Sequence, residues 1–110
     1  KSNIRPDAAT ELDKIVQIMN EYSSMIVELG SHTDCRATYS YNRSLSDRRA
    51  KSSANYIKSR ITNPERIYGK GYGESKLKNK CECEGRRKVD CTEEEHQANR
   101  RTEFLIIKMD

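Results

Sequence analysis

An acid, an amide and a base, Asp34, Asn42 and Arg49, carry the strongest chemical signal in this chain of 110 residues. Arg49 falls in a stretch with helical periodicity, where each residue turns about 100° around the axis. With Leu45 set at zero, Asn42 lies near about 60° and Arg49 near about 40°, two turns apart on one stripe. Ala50, Ala54, Ile57 and Ile61 cluster between about 120° and 180°, and Asp47, Arg48, Lys51, Asn55 and Lys58 take the solvated side. Arg49 therefore belongs to the arc expected to face the rest of the domain. A charge there is costly unless it is paired and hydrogen-bonded. Asp34 would satisfy it as an internal salt bridge; a carboxylate on a ligand would satisfy it equally, gripped by the planar guanidinium fork. Periodicity alone favours the internal pair.

A second constellation is Cys81, Cys83, Cys91 and His96, with Cys35 further upstream. Three thiols and an imidazole are a legitimate structural zinc set. The spacing, however, is not C-x₂-C, and Cys35 would be left over, so no metal and no other cofactor is expected. Four cysteines in so short a chain point instead to an oxidising compartment and to disulfides. Cys81 and Cys83 are too close to pair with each other. Two arrangements remain: Cys35 with Cys83 and Cys81 with Cys91, or Cys35 with Cys81 and Cys83 with Cys91. The first is preferred, and its shorter loop would add roughly 2–3 kcal/mol.

Other chemistries find less support. The run Gly69-Lys-Gly-Tyr-Gly73 lacks the Gly-Lys-Ser/Thr ending and the following helix of a phosphate loop, so its glycines are read as permitting a tight turn against a sheet. Ser, Asp and His are all present, but neither a nucleophile elbow nor a pair of catalytic carboxylates can be assembled. Glu93-Glu94-Glu95 reads as the acidic first turn of a helix. The chain is therefore not expected to be an enzyme.

The elements that must hold these residues follow from pattern and punctuation. Pro6 and Asp7 suit a helix entrance, and Leu12, Ile15, Val16, Met19 and Tyr22 recur at helical spacing over residues 7–22. Residues 25–31 read as a strand buried on both faces, ending at Gly30. Asp34 then lies in a loop leading to the second helix, capped by Thr38 or Ser40 and running to about residue 60 before Asn63-Pro64 breaks it. A short strand is expected at residues 66–70 and a cysteine-bearing surface loop at residues 75–90. Thr92-Glu-Glu-Glu95 has the form of a capping box opening a short helix. Residues 101–109, with Phe104-Leu-Ile-Ile107, form the last strand, apolar on both faces. The sum is one α/β (α+β) two-layer sandwich, its helices packed on one mixed sheet.

Composition sets the outer bounds. Hydrophobic residues make up 34% and charged residues 35%, so one lean core is all the chain can build. The net charge of +4 is too mild and too mixed to argue for nucleic acid, though it suits an acidic polymer. Single basic residues outside the Asn42–Arg49 stripe are read as solvated surface. No run is long enough to span a bilayer. The chain opens at Lys1 without an initiator Met, and is expected to be a piece of a longer precursor.

Taken in order, His32-Thr33-Asp34, Tyr41-Asn42, Leu45-Ser46, Arg48-Arg49-Ala50, Gly69-Lys-Gly-Tyr-Gly73-Glu74 and Asn99-Arg100-Arg101-Thr-Glu-Phe104 resemble the C-terminal peptidoglycan-binding domain of outer-membrane protein A. The same domain occurs in the peptidoglycan-associated lipoprotein and the flagellar stator protein MotB, and the resemblance covers nearly all of residues 1–110. It implies non-covalent binding of Gram-negative peptidoglycan through meso-diaminopimelate. Asp34 would accept from the ammonium, Arg49 would take a carboxylate, and Asn42 would bridge with donor and acceptor. Arg100 matches the first arginine of the family's Asn-Arg-Arg motif and becomes a further carboxylate contact, with Asn3 and Thr33 as flanking candidates. The family usually carries Gly where this chain has Ala37, which implies a loop of slightly different shape, set partly by a bond to Cys35. The resemblance also implies one more strand before Lys1. Without it a sheet edge would stand open to another chain, and a homodimer is one outcome. It further implies a place at the periplasmic face of the outer membrane, reached through a barrel or lipid anchor outside these residues. The alternative is an interaction module that uses the same fold to hold a protein partner in an envelope complex.

Overall fold

The computed structural model describes residues 4–83 and 91–109; Asn3 lies outside them, as does the second half of the cysteine-bearing loop. Helix α1 (Pro6–Glu21) starts on Pro6, with Asp7 in its positive first turn. Strand β1 (Ile26–His32) follows, then the long helix α2 (Tyr39–Lys58), whose N-cap Thr38 accepts a hydrogen bond from the Tyr41 backbone N–H. Asn63, in the left-handed region, opens a single 3₁₀ turn at Pro64–Arg66 that leads into β2 (Ile67–Gly73). Helix α3 (Glu93–Asn99) carries the complete capping box of Thr92 and Glu95, and β3 (Arg101–Lys108) closes the fold. The three strands form one mixed sheet in the order β2-β1-β3, with β1 parallel to β2 and antiparallel to β3. This is the layered α+β arrangement the element order predicts.

The core lies between the sheet and the layer of α1 and α2. Leu12 and Met19 of α1, Val27 and Leu29 of β1, Ala50, Ala54 and Ile57 of α2 and Ile67 of β2 belong to one buried cluster. The buried stripe of α2 is Asn42, Ser46, Ala50, Ala54 and Ile57, mostly small residues at a spacing of one turn. It is small because the facing strand is glycine-rich: a Cβ on Gly69 would come within 2.4 Å of the Ala50 carbonyl oxygen, and one on Gly71 within 2.1 Å of the Asp47 nitrogen. The expectation that these glycines serve a tight turn is thus corrected. Gly69 and Gly71 sit inside β2 and let the helix backbone rest against it; only Gly73, at φ +56°, uses the left-handed region. Ser46 and Asp47 reinforce the contact, their side chains accepting from the backbone N–H groups of Gly73 (2.8 Å) and Gly71 (3.2 Å). Asp47 is accordingly half-buried rather than solvated.

Two further differences have physical causes. Arg66, read as solvated surface, is buried: its guanidinium donates to the carbonyls of Met19, Tyr22 and Met25, where α1 ends and β1 begins, and to that of Thr62. Strand β3 is an edge strand, so Leu105, Ile106 and Ile107 are about half exposed, and among the described residues no strand pairs with its outer side. On the sheet face away from the helices, Glu28 is buried and accepts from the hydroxyls of Tyr68 and Tyr72, which pushes the Tyr72 phenol up to about 12. His32 stacks on Tyr72 there, and its pKa is lowered, first by burial and then by Arg101.

Candidate functional site

The loop between β1 and α2 is built to present Asp34, and nearly every group around it holds it still. The Thr33 hydroxyl donates to the Asp34 carbonyl (2.9 Å), and the Thr33 N–H bonds to the Gly73 carbonyl (2.9 Å), tying the loop to the end of β2. Asn42 is buried on α2, and its amide nitrogen donates to the carbonyls of Asp34 (3.2 Å) and Arg36 (2.9 Å) and to Glu74 Oε1 (2.8 Å). These bonds hold the turn from behind. Ala37 adopts φ +76°, the left-handed conformation that glycine favours, so the loop keeps that shape despite the added Cβ.

Disulfides anchor the same loop. Cys35 pairs with Cys83 and Cys81 with Cys91, joining the Asp34 turn to the segment before α3. With their sulfurs bonded to each other, Cys81 and Cys91 offer no thiolate to a metal beside Glu95, although the three groups lie together. Part of the loop read as surface is stitched to α3: Asn99 Oδ1 accepts from the Lys78 N–H, and the Asn79 amide donates to the Glu95 carbonyl.

The carboxylate of Asp34, only 8% exposed, sits in a closed ring of charge. Its Oδ1 accepts from the Arg36 backbone N–H (2.9 Å), and its Oδ2 accepts from Arg36 Nη2 (2.8 Å), Arg36 Nε (3.2 Å) and Arg100 Nη1. Glu93 completes the ring from α3, accepting from Arg36 Nη1 (3.1 Å) and Arg100 Nη2 (2.6 Å). Burial by itself would raise the Asp34 pKa, but the side-chain and backbone hydrogen bonds from Arg36 and the bond from Arg100 outweigh it and hold the carboxyl below its usual range. Bonds from Arg100 and then Arg36 lower Glu93 likewise.

Arg49 is placed differently from the sequence expectation. Its direction lies about 80° from the middle of the buried stripe, far enough round that the side chain is exposed. It makes no ion pair with Asp34. Instead it lines a cleft of about 530 Å³, together with Arg5, Arg100, Arg101, Ser31, Ser53, Gln97 and Thr102. No Asp or Glu is among the lining residues. Three of these arginines are engaged: Arg5 with Asp7, Arg100 within the ring and with Gln97, and Arg101 with Glu103 and with the carbonyls of Asn99 and Lys76. Arg49 alone among the four has no hydrogen bond or ion pair to a described residue.

Of the site residues named from sequence, the structure therefore brings Thr33, Asp34, Asn42 and Arg100 into one bonded cluster and sets Arg49 beside it on the cleft wall. Arg36 and Glu93 were missed. Arg36 follows Asp34 by two positions in a turn-forming stretch, a spacing at which an aspartate commonly bonds the backbone, and Glu93 precedes Arg100 by two helical turns. Both signals were present, but each also had an ordinary local explanation.

Comparison with known proteins agrees with the fold. The sequence pattern of the OmpA family matches residues 1–90. The chain is 34% identical over 107 residues, 96% of its length, to the photosystem I P700 chlorophyll a apoprotein A2 of Gloeobacter violaceus, of which it spans 12%. It is 32% identical over 75 residues, 68% of its length, to the peptidoglycan-associated lipoprotein of Mesorhizobium japonicum, of which it spans 45%. Among solved structures, the peptidoglycan-associated lipoprotein of Burkholderia pseudomallei superposes with a TM-score of 0.77 over 96% of this chain and 82% of that one, at 16% identity.

Proposed function

The chain belongs to the OmpA family, and on that premise we propose that it is a non-catalytic module that binds peptidoglycan through the diaminopimelate-bearing stem peptide, in the arginine-lined cleft beside Asp34. The observation that carries the reading is Arg49: an exposed guanidinium without a hydrogen bond or ion pair to any described residue, on the wall of a cleft with no Asp or Glu among its lining residues. Such a fork is free to take a ligand carboxylate bidentately, while Arg100 beside it is held in position by Asp34 and Glu93. The rigid frame behind, with Asn42, two disulfides and the α2–β2 contact, keeps the two arginines at a fixed spacing.

The role that follows is a tether in the cell envelope, joining the membrane to the wall without covalent bonds. Many copies acting on one polymer supply the strength that a single shallow cleft lacks. The direct test is sedimentation of the folded domain with purified sacculi. Arg49→Ala is expected to reduce the bound fraction severely while leaving the circular dichroism and melting curve unchanged, because the exposed side chain bonds to no described residue. Undiminished sedimentation of the variant would remove Arg49 from the site.

A further inference from the structure

Helix α3 supplies Glu93 to the ring and leads directly into Arg100, yet the hydrophobic core does not hold it. Among the described residues, none from α3 belongs to the apolar cluster between sheet and helices, and neither α1, α2 nor the sheet packs broadly against it. Its partners lie in the segment 76–83 instead. The Asn99 amide accepts from the Lys78 N–H (2.7 Å) and donates to the Asn79 amide oxygen (2.9 Å), while Asn79 donates to the Glu95 carbonyl (3.0 Å). Arg101, just past the helix, donates to the Lys76 carbonyl (2.8 Å).

Two disulfides fix that segment in turn. Cys83 ties it to Cys35, which stands between Asp34 and Arg36, and Cys81 ties it to Cys91, just ahead of the α3 cap Thr92. The core residues of α1, α2 and the sheet include no cysteine. Elements with few apolar contacts open at lower free-energy cost than the core does. Cys35, Cys81 and Cys83 are buried and Cys91 is partly exposed, so a reductant reaches Cys81–Cys91 first.

Resting on the peptidoglycan reading above, we infer that ligand binding by this domain is conditional on thiol oxidation: the core folds without the disulfides, and they then bring Glu93 and Arg100 of the α3 region onto Asp34. Each bond forms as two thiols give up two protons and two electrons to an oxidant of the disulfide class, whose own sulfur–sulfur bond becomes a dithiol. A chain still reduced has a folded core and no assembled ring, so Arg100 loses its fixed place beside Arg49. Oxidation turns binding on, and reduction of Cys81–Cys91 turns it off.

Sedimentation with sacculi tests this on the whole domain, oxidised and after reduction with tris(2-carboxyethyl)phosphine, with amide hydrogen exchange followed in parallel. The reduced form is expected to keep the protection of β1 while α3 exchanges at least about tenfold faster. Its binding is expected to be at least about tenfold weaker. Cys81→Ser combined with Cys91→Ser, kept oxidised, is expected to reproduce both changes. Binding by the reduced form within about threefold of the oxidised one, or unchanged protection of α3, overturns the inference. So does loss of β1 protection along with that of α3 in the reduced form and the variant alike, because the core would then depend on the same bonds. Failure of the oxidised domain to sediment rejects the peptidoglycan reading, and hydrogen exchange then still decides whether oxidation assembles the ring.

Discussion

Replacing Gly71 by Ala tests the contact that sets the position of α2, and with it Asn42 and Arg49. An added Cβ would lie 2.1 Å from the Asp47 nitrogen, 2.4 Å from its Cα and 2.6 Å from the Ser46 carbonyl carbon, all backbone atoms of a helix. Restoring ordinary contact needs a retreat of roughly 1.3 Å by the helix or the strand, and no rotamer change provides it. Overpacking of this kind costs about 1–3 kcal/mol, with rigid neighbours at the upper end. The same retreat lengthens the hydrogen bonds from Gly71 to Asp47 and from Gly73 to Ser46, each contributing about 1 kcal/mol. The expected loss is therefore about 3 kcal/mol. With a urea dependence near 1.5 kcal/mol per molar, the unfolding midpoint should fall by about 2 M. Gly30→Ala is the control, because its Cβ would meet the Tyr72 ring edge at 3.1 Å, a contact relieved by a shift of a few tenths of an ångström in a side chain rather than in backbone. Its cost should stay below about 1 kcal/mol. Equal effects from the two substitutions, measured by urea unfolding without reductant, would refute the claim that backbone-to-backbone packing of α2 on β2 sets the geometry. Residual sacculus binding should also fall for Gly71→Ala and not for Gly30→Ala.

Three other outcomes are expected. Arg66→Met takes a donor from the carbonyls of Met19, Met25 and Thr62, and one of two from that of Tyr22, and should cost at least about 3 kcal/mol in urea unfolding; a loss under about 1 kcal/mol would mean water replaces the guanidinium freely. Ala37→Gly relieves the positive φ and should raise stability by about 1 kcal/mol, seen as a higher melting temperature, whereas a decrease would show that the loop is not strained there. Asp34 and Glu93 titrate below their usual values in the fold, so the stability they provide is complete above about pH 4–5 and is lost as pH falls through the lowered values. Unfolding free energy followed from pH 6 to pH 2 should show that slope, and Asp34→Asn should flatten it; an identical slope in the variant would place the acid sensitivity elsewhere.

The sequence alone was sufficient for those features that depend on neighbours along the chain. Helical spacing of Leu12 and Met19, the Thr92–Glu95 capping box, a cap at Thr38 or Ser40 and the apolar run of β1 each depend on a few neighbouring residues, so the element order and the layered α+β class could be read directly. The ordered motifs from His32 to Phe104 were enough to point to the family. Tertiary structure decided the rest, because burial and partnership depend on what lies across space. A wheel drawn on α2 puts Arg49 on the flank of the apolar arc, but only the packed sheet shows that the arc ends before it. Nothing local tells that Arg36 and Arg100, 64 positions apart, meet on one carboxylate, or that Arg66 finds its acceptors at the end of α1. Glycines in β2 read as a turn until the helix is laid against them. Charge satisfaction is a property of the folded neighbourhood, and with Asp34 held by Arg36 and Arg100, Arg49 is the one arginine of the cleft without a partner among the described residues.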